Sequence, residues 1–407
     1  MDSINTTQSM DSSSTFQKQF SHIQPLLQDY RFYDVFSAVF KISDNCNLNC
    51  DYCYRENAPK IAVSQHMPIE VIERTLDSIL NYKSWLYARY GWSKKPSLYF
   101  IWHGGEPLAI GLYRMMKILD VQKRYSEKGL SIRNCIQTNG TLLSEHFLEV
   151  FKKENFQIGI SVDGPSDVHN QHRVYRDGRP SFEATYQNIQ LLKKHKYPWS
   201  AISVLTKESI GREEEIFEFF KEEKPYEVDF TPAFFYDTEI SLSPENYAQF
   251  MIKMFDLWAS EKETPFDIRF FKDVLYILGY LKTEKESIIC ELAGTCHRNI
   301  SIATNGDVYS CECLNSKPSN KIGNILSETF LEIVHSEPFV QLTQSTNTYS
   351  EDCLSCDVFS VCKAGCYNRR LPEVDGRPRL DFYCSSRRKI IHHIINRISE
   401  NSVVNPL

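Results

Sequence analysis

Between Tyr33 and about residue 235, short runs rich in β-branched and aromatic residues alternate with amphipathic stretches six times, and few folds accept that rhythm. The runs are "DVFSAVFKI" (34–42), "SLYFIWH" (97–103), "IRNCIQT" (132–138), "QIGISVD" (157–163), "SAISVLT" (200–206) and "YEVDFTPAFF" (226–235), each of strand composition. Helical patterns lie between them at 68–90, with Pro68 in the first turn, and at 110–128, 144–154, 181–196 and 211–224. Strands joined through helices run parallel, because parallel neighbours need a crossover. Six such units make an α/β fold, either an open doubly wound sheet or a partial barrel. Both place their functional loops at the C-terminal strand ends.

The chain has 407 residues, enough for a large α/β unit plus a smaller one. Its net charge of −6 argues against a general nucleic-acid binder, and no stretch approaches the roughly 20 apolar residues of a membrane span. The N-terminal segment is polar and Ser/Thr-rich with no signal-peptide pattern, so residues 1–33 are expected to be disordered or irregular and the protein cytoplasmic. In a reducing compartment thirteen cysteines read as metal ligands rather than disulfides.

Cys46, Cys50 and Cys53 follow the first strand directly. "HGGEP" with Gly104, Gly105 and Glu106 follows the second, "TNG" with Asn139 the third, and "SVDGP" with Ser161 and Asp163 the fourth. Four polar or glycine-rich motifs on one rim mark a site, although each alone has a plain alternative. Three close thiols can sit in a loop or hold zinc, and "HGGEP" can be only a turn. Ser161 and Asp163 can be a strand end, and Arg173 of "HNQHR" a surface ion pair.

C-x3-C-x2-C with Tyr52 before its last cysteine, together with the "GGE" motif, resembles the radical S-adenosylmethionine superfamily over roughly residues 35–235. The resemblance implies a partial (β/α)6 barrel. It also implies a [4Fe–4S] cluster on Cys46, Cys50 and Cys53 whose open iron binds S-adenosylmethionine. The cofactor contacts it implies are Tyr52, Gly104, Gly105, Glu106 at the methionine amino group, Asn139, Ser161 and Asp163 near the ribose, and Arg173 at the carboxylate. Reductive cleavage then gives a 5′-deoxyadenosyl radical, with the electron supplied by a carrier such as flavodoxin or ferredoxin.

A second cysteine group follows: Cys296-x9-Gly306-x4-Cys311, then Cys353-x2-Cys356-x5-Cys362-x3-Cys366, then Cys384. It resembles the SPASM extension of peptide- and protein-modifying radical enzymes, and Cys290 supplies an eighth thiol. By that resemblance Cys290, Cys296, Cys311 and Cys366 hold one auxiliary [4Fe–4S] cluster and Cys353, Cys356, Cys362 and Cys384 another. Zinc ribbons are the alternative for C-x2-C alone. "SIATNGDVYSC" reads as a hairpin with an Asn-Gly turn that delivers Cys311 to a rim. Glu312, after Cys311, is the candidate catalytic base. Related sulfatase-maturing enzymes carry aspartate there, and the alternative is a solvated turn residue. Cys135 is expected to be a small buried side chain, and Cys313 is left unassigned.

The expected layout is a core at 34–240, a helical bridge at 241–289 divided at Thr264–Pro265, and a cluster domain at 290–407. The stretch 363–397 has nine Lys or Arg against three Asp or Glu, and its helix carries an apolar stripe at Ile390, Ile391, Ile394, Ile395 and Ile398. The basic groups are expected to offset cluster charge. "SVDGPSDVHNQHRVYRDGRPSFEATYQNI" is most similar to maturases of ribosomal peptides that join an aromatic ring carbon to a neighbouring β-carbon, giving cyclophanes. The expected substrate is accordingly a precursor peptide. Conversion of Cys or Ser to formylglycine is the alternative activity, and a non-catalytic electron carrier or zinc scaffold the alternative class. No winged-helix leader-binding domain fits in the first thirty-odd residues, so the barrel, the cluster domain or a separate partner is expected to grip the substrate.

Overall fold

The computed structural model describes residues 34–400 except 36, 55–65, 236–238, 282–288, 295, 317 and 371–378. The expectations for residues 1–33 lie outside them. Among the described residues no helix is long and apolar enough to cross a membrane.

All six expected strands form: β1 (Ser37–Ser43), β2 (Ser97–Gly104), β3 (Ser131–Thr138), β4 (Gln157–Ser161), β5 (Trp199–Leu205) and β6 (Glu227–Pro232). Helices α1 (Ile69–Tyr90), α2 (Gly111–Glu127), α3 (Glu145–Lys153), α4 (Ser166–His172), α5 (Phe182–Lys194) and α6 (Glu213–Glu223) lie between them. The six strands pair in chain order, all parallel, as crossover helices require. This is the parallel sheet of a partial barrel.

The bridge holds α7 (Pro244–Ser260) and α8 (Arg269–Ile277), and between them a two-residue strand, β7 (Asp267–Ile268), adds in parallel to β6. That strand was not expected. Beyond the bridge, β8 (Asn299–Ile302) and β9 (Asp307–Tyr309) form the Asn305-Gly306 hairpin, followed by β10 (Gly323–Asn324). β8 pairs in parallel with β1, so one ten-stranded sheet runs β10-β9-β8-β1-β2-β3-β4-β5-β6-β7. The cysteine-rich region is therefore fused to the barrel edge through backbone bonds. The last helix, α9 (Cys384–Ser399), lays Ile390, Ile391 and Ile394 fully buried onto α7, as its stripe predicts.

Side chains alternate along each strand, and the two faces of the barrel sheet differ. Ala38, Phe40, Phe100 and Trp102 point to the helix layer and are buried, with the Phe40 and Phe100 rings stacked. The strand register places Lys41 beside His103, Val39 beside Ser301 and Gln137 beside Gly159 on the opposite face, which continues to Ser161. That second face is polar and half open. Cys135 belongs to it, half-buried and donating to Gln157 Oε1 at 3.2 Å, which corrects the expectation of a buried core thiol.

Candidate active site

The cysteine loop is built by backbone, not by packing. Gly105 N–H donates to Ser43 O (2.7 Å) and Glu106 N–H to Asn45 O (2.8 Å), tying the end of β2 to the loop. Gly104 makes this possible. Its φ is +126°, and a Cβ there would stand 2.3 Å from Ser43 O. On the other side Asn49 N–H donates to Val174 O (2.8 Å), and Arg176 Nη2 reaches Asn45 Oδ1 (3.1 Å). Asn139 Nδ2 holds Asn47 Oδ1 at 2.9 Å and stands 3.9 Å from Cys46 Sγ.

Glu106 faces inward. It is 1% exposed, and its carboxylate accepts from Thr138 Oγ1 (2.6 Å), Asn139 N–H (2.8 Å) and Leu108 N–H (3.0 Å). The side chain therefore ties the ends of β2 and β3 together. Burial pushes its carboxyl up to about 7, while the three donors pull the other way.

Asp163 and Arg173 form a buried bidentate pair at 2.9 and 3.0 Å, so Arg173 is not a surface residue. Tyr52 O–H donates to Asp163 Oδ2, and Val204 N–H donates to Oδ1 at 2.9 Å. Burial opposes ionisation of Asp163, but the Arg173 charge wins and holds it below the usual carboxylate range. The Asp163–Arg173 pair braces the Cys50–Cys53 turn through Tyr52. Ser161 accepts from Gln137 Nε2 at 2.9 Å on the polar face. Burial pushes the Cys50 thiol up to about 12 against the opposing charge of Arg173.

Glu312 is delivered to this face by the β8–β9 hairpin. One oxygen accepts from Tyr54 O–H at 2.8 Å and pairs with Lys41 Nζ at 3.2 Å, while the other accepts from Ser301 O–H at 2.7 Å. His103 Nδ1 stands 3.9 Å away. Burial raises its carboxyl, but the charges of Lys41 and His103 and the two hydroxyl donors prevail and hold it below the ordinary value. It is not a solvated turn residue. Lys41, His103, Tyr54 and Ser301 were not expected. Lys41, His103 and Ser301 share a strand face, a signal that needs the register to be seen, and Tyr54 comes from the cysteine loop.

The eight further cysteines fall into two groups. Cys353, Cys356, Cys362 and Cys384 line one cavity of about 360 Å³. Cys290, Cys296, Cys311 and Cys366 lie close enough to act on one another's charge: desolvation, then Cys296 and Cys366, pushes the Cys290 thiol well above its usual value. Burial, and then Cys313 and Cys296 among the raising charges, pushes Cys366 to about 12. Cys313 joins this group as a fifth thiol, hydrogen-bonded to Cys311. Among the described residues no three Cys, His, Asp or Glu side chains close on one point as the ligands of a single ion do. Soft thiolates suit iron–sulfur clusters.

A parallel barrel whose rim carries three thiols, joined to two four-thiol groups, defines an iron–sulfur redox enzyme. Residues 40–220 match the radical SAM superfamily and residues 294–357 an iron–sulfur cluster-binding domain, SPASM. The chain is 31% identical over 374 residues to the serine-type anaerobic sulfatase-maturating enzyme of Bacteroides thetaiotaomicron, covering 86% of each. It is 28% identical to the cysteine-type enzyme of Clostridium perfringens, over 88% of this chain and 95% of that one. The solved structure of anSMEcpe with bound AdoMet superposes with a TM-score of 0.78 at 26% identity, covering 91% of this chain and 96% of that chain. SuiB of Streptococcus suis, bound to its precursor peptide SuiA, shares the fold with a TM-score of 0.61 at 18% identity, covering 93% and 82%. The chain belongs to the radical SAM superfamily, in its SPASM-bearing branch, and is a homologue of the anaerobic sulfatase-maturating enzymes. Its cofactors are S-adenosylmethionine and iron–sulfur clusters.

Proposed function

We infer that this enzyme oxidises a side chain of a ribosomally made precursor peptide by two electrons, joining an aromatic ring carbon to a neighbouring β-carbon. The observation that carries the reading is Glu312, an ionised carboxylate on the polar strand face, one residue from a thiol of the first auxiliary group.

Cys46, Cys50 and Cys53 would hold the site cluster, with Cys290, Cys296, Cys311 and Cys366 on the first auxiliary cluster and Cys353, Cys356, Cys362 and Cys384 on the second. When bound, these groups and S-adenosylmethionine supply hydrogen-atom abstraction from the substrate and an acceptor for one electron. Joining two carbons with loss of two hydrogens then leaves one proton to remove. Glu312 takes it, because its carboxylate is ionised and held in place by Ser301, Tyr54 and Lys41. Gly104 and Gly105 bring the β2 end against the cysteine loop, and Glu106 and Asn139 hold the adjoining strand ends. The Tyr52–Asp163–Arg173 group braces the loop from the β4 side, and Ser161 lines the face where a ribose would lie. The reaction needs an external one-electron donor such as flavodoxin or ferredoxin, and we place the protein in the cytoplasm.

Formylglycine formation is the second reading, favoured by the identity to sulfatase-maturating enzymes along most of the chain. It removes the same hydrogen atom, electron and proton. Anaerobic incubation with aromatic three-residue peptides and with Cys- or Ser-containing sulfatase peptides separates the two. A cross-link loses two hydrogens and ignores a hydroxylamine probe, whereas formylglycine captures it. Aldehyde product from the sulfatase peptides, with the aromatic peptides unchanged, would refute the cross-linking assignment.

A further inference from the structure

Gln137 reaches across a neighbouring strand. It stands in register with Gly159 of β4, and its Nε2 donates to Ser161 Oγ, two residues further along that strand, at 2.9 Å. Gly159 makes the crossing possible, because a Cβ there would stand 2.2 Å from Gln137 Oε1. A glycine inside a strand marks a close approach, and here the approaching group is the amide of Gln137.

The pair lies beside the cysteine loop. Two residues beyond Gln137, Asn139 stands 3.9 Å from Cys46 Sγ, and two residues beyond Ser161, Asp163 accepts from Tyr52. Two residues span about 7 Å of strand, so Gln137 and Ser161 occupy the polar face directly next to the loop. Both are half-buried. The strand ends that carry them are fixed, β3 by Thr138 on Glu106 and β4 by Asp163 on the Val204 N–H. A ligand held at the loop and extending over this face meets Ser161.

The direction of the hydrogen bond matters. The amide N–H occupies a lone pair of the Ser161 oxygen, so the hydroxyl proton is left to donate elsewhere. A serine hydroxyl without such a neighbour rotates freely and gives up that freedom when a ligand binds. Gln137 restricts the rotation beforehand.

We propose that Gln137 is a positioning residue for the cofactor, fixing the Ser161 hydroxyl as a donor toward a ribose hydroxyl of S-adenosylmethionine. This rests on the reading that Ser161 lines the face where the ribose lies. No bond is made or broken in this step, and its effect is on affinity and on selection for the ribose hydroxyls.

The test uses the full chain, reconstituted anaerobically and kept without reductant so that no cofactor is cleaved. Equilibrium dialysis measures binding of S-adenosylmethionine and of its 2′,3′-dideoxy analogue. The readout is the ratio of the two dissociation constants, because general damage to the fold weakens both alike. Ser161→Ala should lower the preference for the natural cofactor about fivefold, as one neutral hydrogen bond does. Gln137→Glu keeps the size but only accepts, which turns the Ser161 proton toward residue 137, and should lower it as much. Gln137→Met should lower it about threefold, and should add nothing in the Ser161→Ala background. An unmoved ratio in Gln137→Met, with Ser161→Ala having lowered it, overturns the proposal, and so do additive losses in the double variant. An unmoved ratio in Ser161→Ala defeats the ribose placement itself, and the proposal with it. If Gln137→Met loses iron, Gly159→Ala is measured in its place, since its Cβ displaces the amide from Ser161, and the same fall in the ratio is expected. Iron loss there too makes Gln137 a residue that only holds the fold, and overturns the proposal.

Discussion

Replacing Glu312 by Gln does two separable things. The amide is isosteric but cannot take the substrate proton, and a loss on the order of 10²-fold in product formation follows, the low end for general-base catalysis. At 1.36 kcal/mol per decade that is about 3 kcal/mol. The same substitution strips Lys41 of its counter-charge. The pair is 3.2 Å apart with side chains 8% and 13% exposed, and removing one partner of such a buried pair costs about 3 kcal/mol of stability. The two penalties are equal in size, so a single variant cannot separate a lost base from a loosened site. Lys41→Met with Glu312→Gln can. Replacing both partners by groups of similar volume is close to neutral for stability, so the double variant should regain most of the lost unfolding free energy. It should still make product about 10²-fold more slowly. Cofactor cleavage and peptide mass are measured in the same anaerobic reaction, beside urea unfolding of each protein. Wild-type product formation in the double variant, with cleavage still coupled to product, would show that the base lies elsewhere. Equal stability of the single and double variants would refute the ion-pair cost.

Three cluster sets from eleven thiols give about twelve irons in the anaerobically reconstituted protein, and joint Ala replacement of Cys46, Cys50 and Cys53 should leave about eight while abolishing 5′-deoxyadenosine formation. Iron near four in the wild type, or cleavage in the triple variant, would contradict the assignment. Gly104→Ala forces a Cβ against Ser43 O at a positive φ, so it should open the β2–loop contact and lose the site cluster while keeping the auxiliary pair. Iron and cofactor-cleavage assays on that variant check it. Glu106 has a folded pKa of about 7 against 4.5 ordinarily, so across that window the unfolded chain holds fewer protons than the folded one. Stability from this group is therefore lost as pH rises from about 4.5 to 7, by about 3 kcal/mol in all. Glu106→Gln should flatten that part of the pH dependence of the urea midpoint, and an unchanged slope would contradict it.

The strands were legible because each is a short β-branched or aromatic run bounded by turn residues, and their parallel order followed from the helices between them. The cysteine spacings were equally legible, since ligand sets repeat in sequence what they do in space. Register was not. Lys41 and His103 share a face only because β1 and β2 pair as they do, and nothing local to "FKIS" or "IWHG" states this. The Asn305-Gly306 turn announced the hairpin, yet its parallel docking on β1 is a long-range choice that no local pattern encodes. Glu106, Asp163 and Arg173 were found as residues, but which way their polar atoms turn is decided by neighbours from other strands. β7 was missed because two residues are too few for a period.

The contrast between three thiols and four has a structural counterpart. Around the site loop, the amide of Asn139 approaches Cys46 Sγ at 3.9 Å across the rim, a neutral group far weaker than a thiolate as an iron ligand. This loop lies beside the half-open polar strand face, where a substrate and an exchangeable ligand have room. The auxiliary groups each have a full set of four thiols, and Arg369, Arg387, Glu291 and Asp381 fill the wall between them with balanced charge. A closed ligand set surrounded by fixed charges suits electron transfer, and an incomplete set on an open face suits bond chemistry. The β8–β9 hairpin joins the two environments, because pairing β8 to β1 brings Cys311 of the closed set and Glu312 of the open face to the rim on consecutive residues. On the proposed reading, removal of an electron and of a proton from one substrate would fall to neighbouring positions of a single turn.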